Sequence, residues 1–573
     1  MQLFAVVLAS FLAVGGALPD GAFVRVDGGN FVVGDKPFTF IGANLDVMHG
    51  ADERARAPET IAAARADGLT VGRVWALGEG DATATPWSRA NVLWRTAPDA
   101  WIAAGPRQLD RVLASARKNG LRVIVTLSNY WDDYGGIRQY LAWAKLPTDT
   151  WDARDRFFSD DKTRAMYRAH VQALVERVNT VNGVKYADDP TIFAWELMNE
   201  SQVSTPAGAT ARRSWIDEMA SFIKARDPNH LVTPGVMGYT SRAERAEWLA
   251  VCRLPTVDYC DSHLYPETTD RVGNRQRLEQ YIDDRVQLAR YVAHKPLVFG
   301  EFGFRTDEAG YLETPRADWY VTFLQRALAD GAAGALAWIY QPWLGKPRDF
   351  GIYVDRSDTD DVRAALRRWA AFAATTPAPS NPLLGDAKGD AMLYDPYVTE
   401  ERSPYQRVAD GVVEIPPGAF SSARWERLGT WGDGDGAHAY GAGDGWFDYV
   451  FTLAKPAVPT LEARMSSEWP GKSAPPDGGS DVAVLVDGVR VATLGVIPDD
   501  GAGRVEKVAL GRLKKGRHTL RLLVAPGPGA HGLCVYGNAN APLRIVTEEG
   551  QPVAPEKAPA PPATRAAAPP ATP

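Results

Sequence analysis

From about residue 23 to residue 375, short β-branched or apolar runs alternate with longer segments whose apolar positions recur every three or four residues. The stretch FVRVDGGNFVVGDKPFTFIGAN predicts a hairpin turning at Gly-Gly-Asn and then a first buried strand ending near Asn44. Seven further runs read as strands: TVGRVWAL (70–77), LRVIVTLSN (121–129), TIFAWELMNE (191–200), HLVTPGVM (230–237), VDYCDSHLY (257–265), PLVFGEFG (296–303) and GALAWIY (334–340). Helical periodicity fills 58–68, 107–120, 162–181, 213–227 and 316–331. This alternation predicts an α/β fold with a parallel sheet, and eight units over roughly 350 residues fit a (β/α)8 TIM barrel across 23–375. No Gly-rich phosphate fingerprint opens a helix after the first strand, which argues against an open dinucleotide-binding sheet.

The segment TTPAPSNPLLGD breaks the pattern, and 376–387 is expected to be a linker. Beyond it, alternating runs such as WFDYVFTL, DVAVLVDGVRVATLGV and HTLRLLVA are divided by Gly and Asp turns, with Asp487-Gly488 a hairpin signal. A second domain, an all-β sandwich, is predicted over 388–548, with a disordered Ala/Pro tail over 549–573. LFAVVLASFLAV (3–14), followed by Gly15, Gly16 and Ala17, predicts a signal peptide over 1–17 and a secreted or periplasmic protein.

Composition narrows the chemistry. Lys plus Arg is 63 and Asp plus Glu 70, for a net charge of −7 with no basic stripe, which argues against nucleic acid as a partner. No other run is long enough to span a bilayer, so no membrane partner is expected, and the chain is read as a monomer. Eighteen Trp and twenty Tyr exceed what core packing needs, and flat aromatic faces suit sugar rings. The eight His contain neither HxH nor HExxH, and the three cysteines form no CxxC, so neither metal nor cofactor is predicted. Cys252 and Cys260 are read either as a local disulfide or, with Cys534, as buried thiols.

Barrel chemistry sits at the carboxyl ends of the strands. Those ends carry Arg73 and Trp75, Asn129 and Trp131, Asn199 and Glu200, His263 and Tyr265, Glu301, and Trp338. Glu200 and Glu301, on nearly opposite sides of the ring, are the pair needed to cleave an acetal between sugars: one carboxyl protonates the leaving oxygen, the other attacks the anomeric carbon or activates water. For Glu200 to act as the acid its pKa has to rise, and partial burial with a neighbouring carboxylate is expected to raise it. Arg73 and a Tyr265 hydroxyl on Glu301 are expected to keep the second carboxyl ionised, with Asn199 placed for a sugar 2-hydroxyl.

TIFAWELMNE, PLVFGEFG, SHLYPE and TVGRVWAL together resemble the motifs of glycoside hydrolase family 5. The resemblance covers roughly residues 23–375 and implies Glu200 as acid/base and Glu301 as nucleophile. Arg73, Asn199, His263, Tyr265 and Trp338 are implied to line the −1 subsite. LSNYWDDYGGIRQYLAW (127–143) and Arg73-Val74-Trp75-Ala76 look like the β-1,4-mannanase branch, which implies a plant-type β-mannan as substrate, while GANLDVMHG (42–50) replaces the more aromatic first-strand stretch usual there. A β-1,4-glucanase or exo-β-mannosidase on the same scaffold, or a noncatalytic carbohydrate-binding barrel, are the alternative readings. Trp343, Asp132 and Asp133 are further candidates for sugar contact, and Trp425, Trp431, Trp446 and Trp469 for a polysaccharide platform on the second domain.

Overall fold

A computed structural model describes residues 22–240, 242–265, 275–306, 315–345, 347–376, 398–401, 406–409, 411–431, 438–467, 479–498, 503–525, 531–537 and 543–547. The expected signal peptide, most of the linker and the tail lie outside the described residues. The chain divides into two compact units, one up to Tyr394 and one from Asp395.

The first unit is a (β/α)8 barrel. Its strands are β1 (Phe40–Leu45), β2 (Val71–Trp75), β3 (Arg122–Thr126), β4 (Ile192–Glu196), β5 (Leu231–Thr233), β6 (Cys260–Leu264), β7 (Leu297–Phe302) and β8 (Gly334–Gln341). All pair in parallel, in the order β5-β4-β3-β2-β1-β8-β7-β6. Asp258 N to Val232 O (2.9 Å) and His263 N to Met237 O (2.8 Å) bridge the seam between β5 and β6. The strands are buried on both faces because helices cover the outside and side chains fill the inside, and their runs are therefore apolar rather than alternating.

The hairpin strands Val24–Asp27 and Asn30–Val33 close the amino-terminal end of the barrel. Phe31 meets Phe193 and Tyr259 edge-on and lies beside Phe40, forming an aromatic floor among the first residues of the strands. With that end sealed, polar chemistry is left to the opposite rim.

Helix bounds differ from the periodicity where side chains intervene. The helix expected over 162–181 is Asp161–Val175, because Arg177 and Asn179 both turn back onto Asp110, at 2.5 Å from its carboxylate and 3.0 Å from its carbonyl. The helix expected from residue 213 begins at Pro206, where Thr205 Oγ1 caps the Gly208 N–H at 2.9 Å. Arg242–Cys252, Arg275–Gln287 and Asp360–Ala373 supply the helices after β5, β6 and β8. Cys252, Cys260 and Cys534 are free, buried thiols.

Among its described residues the second unit is antiparallel. Its long strand His438–Leu453 pairs with Ser422–Trp431 and Gly516–Val524 around a core containing Trp425, Phe447, Tyr449 and Leu522. The hairpin Ser480–Val486/Val489–Val496 turns at Asp487 and Gly488, both with positive φ (49° and 80°), as a two-residue loop of this hand requires.

Candidate active site

Glu200 lies beyond β4 and Glu301 within β7, and His263 of β6 joins them. His263 Nδ1 is 2.8 Å from Glu200 Oε1 and 3.5 Å from Glu301 Oε2. One oxygen of each carboxyl and one ring nitrogen of His263 lie within 4.8 Å of one another. Local backbone sets these directions. Glu200 has φ 53°, a left-handed conformation rare for a side-chain-bearing residue, and Asn129 and Asn199 extend the β3–β4 pairing up to it. On β7 the register skips Gly300 between the partners of Ser262 and His263, and this bulge sets Glu301 opposite His263.

Arg73, pointing into the barrel from β2, ties the rim together. Its Nη1 reaches Glu301 Oε1 and Asn44 Oδ1, each at 2.7 Å, and its Nη2 reaches Asn199 Oδ1 at 2.7 Å. Glu196 takes the guanidinium in bidentate fashion, at 2.7 and 2.6 Å. Glu196 is the last residue of β4 and shares the apolar run with Glu200, four residues further on, so the run alone does not tell the anchoring carboxylate from the one at the rim. Tyr265 donates its hydroxyl to Glu301 Oε2 at 2.7 Å, and Trp131 donates Nε1–H to Glu200 Oε2 at 2.6 Å. Asn129 differs from the expected sugar contact. It is fully buried, accepts from Asn199 Nδ2 at 3.0 Å and donates to Asp133 O at 3.1 Å, so it orients Asn199 instead.

The electrostatics reverse the sequence expectation for the two carboxyls. Burial pushes Glu200 up, but the hydrogen bond and charge of His263, the Trp131 N–H and Arg73 outweigh it and hold the carboxyl below its ordinary value. Burial also pushes Glu301 up. His263 and Arg73 oppose this, but Arg73 is shared with Glu196, Glu200 adds like charge, and Glu301 stays above its ordinary value. Against its own burial, His263 is raised to about 9 by Glu301, Glu200 and Asp261, which makes it an imidazolium at neutral pH.

Glu200, His263 and Glu301 are also the acidic and imidazole groups close enough together to suggest a metal among the described residues. The donor set does not suit one: all four carboxylate oxygens already accept from protein donors, and Nδ1 of His263 is bonded to Glu200.

Beside the pair, over β1, β2 and β8, is a cavity of about 550 Å³ whose lining includes Arg73, Trp75, Tyr134, Trp338, Asp46 and Arg348. Trp75 and Trp338 lie 5.7 Å apart at 37°, and Tyr134 stacks on His49 at 3.7 Å. Arg348 bonds Asp46 at 2.7 Å and Glu53 at 3.1 Å, while burial pushes Asp46 up to about 6. Asp46 and His49 come from the GANLDVMHG stretch; no local motif marks Arg348, whose position only the fold reveals. Asp133 lines the cavity too, whereas Asp132 is held by Arg154 at 2.8 Å and Trp343 is covered by Arg356, 3.9 Å above its ring. In the second unit, Trp425 is wholly buried and Trp446 lies near Arg521 and Arg424 at 4.7 and 5.7 Å, so these two form no open aromatic surface together. Trp469 and the side chain of Trp431 lie outside the described residues.

A family model described as GH family 5 beta-mannosidase-like matches residues 21–349. Mannan endo-1,4-beta-mannosidase 7 of Arabidopsis thaliana is 30% identical over 347 residues, 56% of this chain and 78% of the relative. Mannan endo-1,4-beta-mannosidase 1 of Oryza sativa subsp. japonica is 31% identical over 365 residues, 59% of this chain and 82% of the relative. Among solved structures, the hyperthermostable endo-1,4-beta-D-mannanase of Thermotoga petrophila superposes with a TM-score of 0.52 at 27% identity, over 58% of this chain and all of that one.

Proposed function

The chain belongs to glycoside hydrolase family 5, and from that premise we propose that it cleaves internal β-1,4-mannosidic linkages of mannan by double displacement. The observation carrying this reading is the meeting of Glu200 and Glu301 at His263, with reactive atoms within 4.8 Å. Carboxyls about 5–5.5 Å apart suit direct attack by one of them, whereas inversion needs about 6.5–9.5 Å to admit a water. Names of relatives alone support mannan and endo cleavage; the residues at the scissile bond do not encode the C2 configuration of the sugar.

In this reading a Glu301 oxygen attacks the anomeric carbon, held in place by Arg73 and the Tyr265 hydroxyl. The glycosidic oxygen leaves with a proton from Glu200, which in the free site is 2.8 Å from the imidazolium Nδ1–H. Entry of a sugar chain displaces water, which lifts Glu200 from its low value and Glu301 further above its own, and the charge on Glu301 lets Glu200 take up the proton it shares with His263 Nδ1. Once the glycosyl ester forms, that charge is gone. Glu200 then takes a proton from water, whose oxygen attacks the same carbon and frees Glu301. The remaining N–H of Asn199 is available to a 2-hydroxyl, and Trp338 and Trp75 to a pyranose face.

Hydrolysis of mannan, glucomannan and cellulose by the full chain, with the first-formed anomer read by NMR, tests the proposal. Oligosaccharides released from mannan, with the β-anomer first, are the expected result. Cleavage of cellulose alone would overturn the substrate assignment, an initial α-anomer the double displacement, and inertness toward every β-glycan the catalytic reading itself.

A further inference from the structure

Asp261 lies two residues before His263 on β6, is 1% exposed, and takes no part in the two displacements. The period of a strand turns both side chains to the barrel interior, while Cys260 and Ser262 face the helices. Asp261 Oδ1 accepts the Gly300 N–H at 3.0 Å, and its Oδ2 is 3.8 Å from His263 Nε2. That ring nitrogen has no hydrogen-bond partner, although Nδ1 of the same ring is bonded to Glu200. Gly300, the bulge residue of β7, leaves the space in which the two side chains meet: a Cβ there would run into Asp261 Oδ1 and come within 2.9 Å of His263 Nε2.

We propose that Asp261 is a positioning residue that, from below, holds in place the proton shared by His263 Nδ1 and Glu200 Oε1, so that the pair still carries the leaving-group proton in alkaline solution. The proposal rests on reading Glu200 as the acid. The groups around the imidazole are Glu200 and Glu196 on the β4 side, Glu301 on β7, Arg73 on β2 and Tyr265 beyond β6, while β5, Leu-Val-Thr, adds no charge. Asp261 joins them from below, with Oδ2 3.8 Å from Nε2. Burial pushes it up to about 7, opposed by His263, so its charge is in place on the alkaline side, where the imidazolium would otherwise begin to lose its proton. Removing a negative charge weakens the hold of every neighbour on a proton. Asp261→Asn therefore moves the alkaline limb of activity downward and leaves the acid limb in place.

Histidine-labelled full-length wild type and Asp261→Asn are titrated by NMR, and kcat/KM is followed against pH on mannan and on a dinitrophenyl β-mannoside, whose leaving group departs without a proton. His263 should titrate near 9 in the wild type. In the variant that titration and the alkaline limb on mannan should both fall by about one to two pH units, with the dinitrophenyl rate unchanged. A wild-type His263 titrating near 6.5, or a variant titrating as the wild type does, overturns the proposal. An equal loss on both substrates also overturns it, because a structural defect would act that way. If Asp261→Asn does not fold, Asp261→Ser and the wild-type titration decide the matter. Failure of the wild type to cut either substrate would refute the hydrolytic reading, while the imidazole titration would still decide the role of Asp261.

Discussion

Glu196 grips Arg73 through two parallel hydrogen bonds across 123 residues of chain, with both side chains at most 1% exposed. The guanidinium that reaches Glu301 is thus held by a carboxylate that never meets the sugar. Glu196→Gln should lower kcat/KM on mannan roughly a hundredfold through misplacement of Arg73, with KM little changed. Glu196→Ala should in addition cost about 3–5 kcal/mol of stability, since it strands a buried charge; urea unfolding of the two variants measures the difference.

Glu200→Ala should lose roughly 10²- to 10⁴-fold on mannan but far less on a dinitrophenyl mannoside during glycosylation. Azide should restore turnover of that variant and yield the β-mannosyl azide. Glu301→Ala should be inactive on both substrates, and an α-azide product from Glu200→Ala would contradict the assignment of roles.

Three histidines bracket the stability of the fold in pH. His263 is raised to about 9 from 6.5, so its contribution is complete below about 6.5 and is lost as pH rises through 9. His170 and His49, both pushed down to about 4 by burial, contribute above 6.5 and lose that contribution as pH falls through 4. Each amounts to roughly 3 kcal/mol at most. Urea midpoints should peak near neutrality, and His170→Asn should reduce the acid-side loss by about half, leaving the His49 share and the alkaline side as they are.

Trp131→Phe removes the 2.6 Å bond to Glu200 Oε2 and with it one of the influences lowering that carboxyl. A hydrogen bond to a charged group is worth about 1.5–3 kcal/mol, so kcat/KM on mannan should fall roughly ten- to a hundredfold. Infrared titration of the carboxyls should show Glu200 moving upward.

How far this fold and site could be read from sequence depended on whether a residue's neighbours are local. Runs such as LRVIVT and PLVFGEF marked strands because parallel strands are covered on both faces. Helices Arg242–Cys252 and Arg275–Gln287 were hidden by many charged residues that broke the apolar stripe. At the rim, Arg73, Glu200, His263, Tyr265 and Glu301 were legible as polar interruptions at strand ends. Glu196, Asp261 and Arg348 were not, because their partners lie 123, 39 and 302 residues away for Arg73, Gly300 and Asp46. The direction of the Glu200 shift depended on a ring nitrogen of His263, whose placement required the third dimension.

The phenylalanine hairpin beneath the barrel divides labour between its two ends. Phe31, Phe193 and Tyr259 lock the first residues of the strands from the side opposite the carboxyls, so packing changes made there bear on stability and leave the rim untouched. Engineering for heat has that hydrocarbon foundation to work on, and its improvements need not be traded against chemistry on the other side of the ring.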